Sequence, residues 1–185
     1  MAKFLKISGD LSQWNIYRKS ACVSDVTEMF IRRAFPYQTR TIDQMRQAAR
    51  SCKQNLVEGV SDCTVSMEMG IKLVGIARGS LRELMEDYLD YLYQNDLKIW
   101  TLEDNLTLRA RNFCRQCDDR REFKAKIKDC NDETVANIMI TEIRQLDAML
   151  TSLLGAMEEQ FINEGGLKES MFKARTEWRK ANLGF

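Results

Sequence analysis

A chain of 185 residues with 44% hydrophobic and 30% charged residues is long enough for one domain with a sizeable core, and its net charge of +1 gives no overall pull toward a polyanion. One proline in the whole chain, Pro36, against ten methionines suits long helices and excludes a loop-rich fold. No stretch of about 18 uncharged apolar residues predicts a membrane span, and the start lacks a signal-peptide core, so a cytoplasmic protein is expected.

Ile16, Ser20, Val23, Thr27, Phe30 and Ala34 share one stripe and predict a first helix over 12–34. Phe35-Pro36-Tyr37 should end it, because the residue before proline is pushed out of the helical region. A second helix is expected over 41–59, opened by a Thr41/Gln44 capping box and closed by Gly59. Ile71, Val74, Arg78, Leu81, Met85, Tyr88 and Leu92 alternate three and four apart, which predicts a third helix over 64–95 with a bundle seam. Residues 100–130 read as one polar, weakly periodic helix opened by Thr101. The clearest seam follows over 132–163: Met139, Ile143, Leu146, Leu150, Leu153 and Met157. Gly165-Gly166 ends it, and Leu167, Met171, Ala174 and Trp178 mark a short amphipathic tail helix.

These elements predict an all-α fold in a single domain, 1–185. It is an antiparallel up-down four-helix bundle (12–99 and 131–163) with an inserted helical segment at 100–130 and a C-terminal tail helix at 164–185.

The absence of histidine removes the commonest general base and the commonest nitrogen ligand for zinc. No glycine-rich phosphate loop follows a strand, and no Glu-x-x-His spacing marks a di-iron bundle. The chain therefore reads as non-enzymatic, with no catalytic residue, metal or cofactor expected. Cys114-x-x-Cys117 with Cys130 has the outline of part of a zinc site, but free thiols packed as small apolar groups are the plainer reading.

Charge is unevenly distributed: residues 1–57 carry net +6, 58–106 net −6, 107–130 net +4 and the remainder net −3. Either these blocks pair inside the bundle or a basic face takes phosphates. The residues expected to contact phosphate are Arg18, Lys19, Arg32, Arg33, Arg40, Arg46, Arg50 and Lys53 at the basic front. In the insert they are Arg109, Arg111, Arg115, Arg120 and Arg121. Arg78 interrupts an apolar seam and needs partners there. Asn55 and Glu58 on the preceding helix are the expected ones, making a polar network of Asn55, Glu58 and Arg78 that fixes the register of the second and third helices. Gly75 and Gly79 read as a smooth surface for close helix approach.

Three ordered blocks carry a resemblance: Gln44-x-Arg46-x-Ala48-Ala49-x-Ser51, Asn55-x-x-Glu58-Gly59, and Ile76-Ala77-Arg78-Gly79-Ser80-Leu81-x-Glu83-Leu84. Over residues 14–93 they resemble the signature of the four-helix bundle family named for proteins encoded in intervening sequences of 23S ribosomal RNA genes. The accessory variability determinant proteins of diversity-generating retroelements are relatives of that family. Glu133, Ala136-Asn137, Leu153-Leu154, Phe161 and Glu164-Gly165-Gly166 resemble a subgroup with a four-helix-bundle suffix domain. The resemblance implies a homopentameric ring without catalytic activity. In the retroelement relatives it implies binding of nucleic acid and a reverse transcriptase.

The function expected is thus a homo-oligomeric binding or scaffolding module for RNA or DNA, or for a nucleic-acid-handling protein such as a reverse transcriptase. The alternative is a protein–protein adaptor that docks through the tail helix, with Leu167, Met171, Phe172 and Trp178 as its surface. For that tail, docking on its own bundle is the plainest expectation.

Overall fold

The computed structural model describes residues 10–35, 37, 39–63 and 65–183, and every regular element among them is helical. A 3-10 turn, Leu11–Gln13, leads into α1 (Asn15–Ala34), α2 (Arg40–Asp62) and α3 (Met67–Gln94). Then come α4 (Asn105–Gln116), α5 (Arg120–Ile127), α6 (Asp132–Glu164) and α7 (Leu167–Leu183). Among the described residues no helix is long and apolar enough to cross a membrane.

The four long helices begin and end within three residues of the expected positions. Phe35 leaves the helical region at φ −114°, ψ 109°, as a residue before proline should; Pro36 itself lies outside the described residues. Ser66 caps α3 by accepting from the Met69 N–H, and Asn131 caps α6 by accepting from the Thr134 N–H. Gly165, at φ +76°, closes α6.

α1 packs on α2, α2 on α3, α3 on α6 and α6 on α1, so contacts among the four long helices close a cycle. α4 lies on α6, and α5 lies on α1. This explains why α6 is buried without interruption from Val135 to Ile143: helices cover it on more than one side. The predicted stripe of α1 is buried from Ile16 through Ser20, Val23 and Thr27 to Phe30. Phe30 lies 4.9 Å from the rings of both Tyr88 and Tyr91, and the Tyr88 hydroxyl donates to Thr27 Oγ1 at 3.0 Å. That bond satisfies two polar atoms that the core would otherwise leave stranded.

Several expectations are corrected. Thr41 lies inside α2, whose N-cap is Thr39 without a side-chain bond, so the Thr41/Gln44 capping box does not form. Gly59 does not end α2; the helix runs through it to Asp62. Its role is proximity. A Cβ on Gly59 would stand 2.9 Å from the Gly70 carbonyl oxygen, and one on Gly70 2.7 Å from the Gly59 carbonyl oxygen. These two glycines, not Gly75 and Gly79, let α2 and α3 touch; Gly75 and Gly79 face open space. The insert is two helices, not one. Asp118 and Asp119 are poor helix-interior residues, and Asp119 instead caps α5 by accepting from the Arg121 and Glu122 N–H groups. Thr101 does not open α4 either; its N–H donates to Asp104, the N-cap. Finally, the described apolar side chains of α7 do not pack on the bundle as expected: Met171, Phe172 and Trp178 are all exposed.

Candidate anion-binding site

The expected basic front is largely neutralised by carboxylates. Arg18 pairs with Asp118, Arg32 with Glu28, and Arg46 with both Glu28 and Asp43. Arg33 pairs with Asp132 and donates to the Lys128 carbonyl. Arg120 forms a two-pronged pair with Asp25 at 2.6 and 2.8 Å. Arg50 donates to Gln54. Lys19 is corrected outright. Only 3% exposed, it cannot meet a phosphate, and its Nζ lies 3.0 Å from both Glu142 oxygens. Arg40, Lys53, Arg109, Arg111, Arg115 and Arg121 carry no ion pair among the described residues. Internal pairing therefore accounts for most of the front, and the cations left over lie mainly in the insert.

The expected Glu58–Arg78 pair is also replaced. Glu58 is exposed, while Arg78 reaches Asp147 of α6, with Nε 2.8 Å from Oδ1. Arg82, one turn on, donates to the same oxygen at 3.2 Å. The α3 face carrying Arg78 thus turns toward α6, not α2. Burial works against the Asp147 charge, but the bonds from Arg78 and Arg82 together outweigh it and hold the carboxyl below its ordinary range. Asn55 folds back on Ser51, donating to its carbonyl at 2.9 Å, and the Ser51 hydroxyl meets that of Ser80.

The cysteines are packed. Burial raises the Cys22 thiol to about 12, with Glu142 nearby adding to the effect, and it raises Cys114 as well. Cys114 Sγ faces the Ile138 carbonyl, and no cluster of three potential metal ligands forms among the described residues.

One place gathers unpaired cations. Arg111 and Arg115, four apart on α4, share a helix face. With Arg144 of α6 they line a pocket of about 230 Å³, completed by Leu102, Thr107, Thr141, Gln145 and Ala148. None of the three arginines meets a carboxylate among the described residues. Gln145 ties the walls together by donating to the Arg111 carbonyl at 3.0 Å. Thr107 and Thr141 donate their hydroxyls to the Thr101 and Asn137 carbonyls, so the hydrogen-bond donors left for a ligand are the guanidinium groups and the second Nε2–H of Gln145. Lys19 donates at once to Glu142 of α6 and to the carbonyl of Cys114 of α4, next in sequence to Arg115. Glu142 is fully buried, and burial raises its carboxyl pKa although Lys19 opposes the rise. This buried link sets the C-terminal end of α4 against the part of α6 that carries Arg144.

Three guanidinium groups around one small pocket repel one another until an anion enters, and planar forked donors suit phosphate oxygens. Of the residues expected from sequence, the structure brings Arg111 and Arg115 together here. Arg109 lines a different pocket with Trp100 and Phe113, and Arg40 lines a groove beside Asp43 and Glu83. Arg144 was missed. Its signal was that it is the single basic residue of the whole of α6. Comparison of the chain with family models, with curated proteins and with solved structures finds no match.

Proposed function

We propose that the chain is a non-enzymatic, homo-oligomeric binding module that holds the phosphates of RNA on Arg111, Arg115 and Arg144. In this reading α1, α2, α3 and α6 form an antiparallel up-down four-helix bundle, in keeping with the resemblance to the ribosomal intervening-sequence and accessory variability determinant proteins. That resemblance also suggests a pentameric ring and a nucleic-acid-handling partner such as a reverse transcriptase. The observation that carries the reading is the convergence of three arginines on one pocket, none of them meeting a carboxylate among the described residues. Missing histidine supports a role without acid–base chemistry. Free cysteines buried in the core suit a reducing cytoplasm. Contacts of this kind position a phosphate backbone without reading bases.

Fluorescence anisotropy with a single-stranded RNA tests the reading. Binding at low salt that weakens steeply as salt rises is the expected result; no binding at low salt overturns it. A second reading, a protein–protein adaptor, draws on the exposed apolar side chains of α7.

A further inference from the structure

α7 is an amphipathic helix whose described apolar side chains are uncovered. Met171, Phe172 and Trp178 are 63%, 71% and 59% exposed. At 17 residues the helix is little longer than the roughly 12–15 residues below which an isolated helix is marginal in water. Lys173, Arg175, Arg179 and Lys180 stand along it, and none has a carboxylate partner among the described residues. Such a helix gains its stability from a surface that covers its apolar face.

The outer face of α2 and α3 has the opposite deficit. Glu83, Glu86, Asp87 and Asp90 recur at one-turn spacing on α3, and none is paired with a cation among the described residues. Three of them, Glu83, Glu86 and Asp87, line a groove of about 660 Å³ whose other wall is α2, with Arg40 its one lining cation. The crowding already costs: burial, then the neighbouring Asp90 and Glu83, raise the Asp87 carboxyl to about 6. Along the same helix, Gly75 and Gly79 face open space beside Ile76, which is 44% exposed.

The chain's own tail does not span this face. α7 starts beside the α2–α3 turn, where Gly166 and Glu169 share a pocket with Val65 and Glu68. Asp90 lies about 33 Å beyond Glu68 along α3, while α7 is about 25 Å long at 1.5 Å per residue.

We propose that α7 docks along the outer α2–α3 face of a second copy of this chain. Arg175 and Arg179, on the same side of α7 as Met171 and Trp178, meet Glu83, Glu86 and Asp87, while Met171 covers Ile76 and the open glycines. This rests on the oligomeric reading above and names the surface that builds the oligomer. A tail of one copy on the flank of the next is a head-to-tail contact, which closes into a ring or a reciprocal pair. Opposite charges on the two surfaces also fix the register.

Sedimentation velocity on the full-length chain at about 0.15 M salt tests it against the 21.5 kDa mass of one copy. The wild type should sediment as an oligomer. Reversing the tail (Arg175→Glu, Arg179→Glu) or the groove (Glu83→Lys, Glu86→Lys) should each give monomers. All four changes in one chain should restore the oligomer, a rescue that misfolding does not produce. An oligomer unmoved by either reversal overturns the docking surface and leaves the oligomeric reading standing. So does a folded four-fold variant that stays monomeric. A monomeric wild type overturns both.

Discussion

Lys19 of α1 crosses the core to Glu142 of α6, its Nζ 3.0 Å from both carboxylate oxygens and 2.5 Å from the Cys114 carbonyl oxygen of α4. The two side chains are 3% and 0% exposed, so the pair is held in a low-dielectric interior where each charge depends on the other. It joins three helices at one point. The same point fixes where Arg115 stands relative to Arg144.

Breaking this pair from one side should be severe. Lys19→Met leaves the Glu142 charge and the Cys114 carbonyl without their donor, and a loss of about 3–5 kcal/mol is expected. Removing both charges, with Lys19→Met and Glu142→Leu, should recover most of that loss, because the desolvation cost disappears with the pair. Urea denaturation of the two single variants and the double variant checks this. Additive losses would contradict it.

The Asp147 bridge predicts a pH signature. Its carboxyl is held below the ordinary value of 3.8, so the folded state favours the charged form. The stability it adds is present above that value and is lost as pH falls through the lower folded pKa. Asp147→Asn should therefore cost about 1 kcal/mol near neutrality, the scale of a partly exposed pair. The difference from wild type should shrink once pH drops below about 4. Thermal melts of both proteins over that range decide the matter.

Glycines at contact and in the open should respond with opposite sign. Gly70→Ala forces a methyl against the Gly59 carbonyl and the Cys63 sulfur, and a loss of about 1–3 kcal/mol is expected. Gly155, within α6, has nothing within 4 Å of where its Cβ would be. Gly155→Ala should stabilise by about 0.5–1 kcal/mol, because alanine gives up less backbone freedom in a helix. Equal effects at the two positions would mean that α2 and α3 do not approach as described.

Helix positions were legible because a stripe such as Ile16, Val23 and Phe30 has a period that only one structure satisfies, and those side chains are buried as the period requires. Which helix faces which is not a local property. Sequence proximity points Arg78 to Glu58 on the preceding helix, but its face of α3 turns toward α6, and Asp147 lies 69 residues away along the chain. Gly59 has the residue type of a helix end, and only the partner Gly70 across the interface shows why a side chain is excluded there. Lys19 looked like any surface cation in a basic block. Its burial depends on Glu142 and Cys114, more than ninety residues away in the chain. The candidate site was half legible for the same reason. Arg111 and Arg115 sit one turn apart on a single helix, whereas Arg144 joins them only through packing of α4 on α6.

We propose that phosphate binding belongs to Arg111, Arg115 and Arg144 and not to the basic front. The salt dependence of RNA affinity measures it most directly, since each phosphate contact on a single strand contributes about 0.7 to the log–log slope. Changing the three pocket arginines to glutamine should flatten that slope by about 2. Changing three paired arginines, Arg32, Arg46 and Arg120, should leave it nearly unchanged. The opposite result, a slope lost with the paired arginines and kept without the pocket ones, would contradict the account.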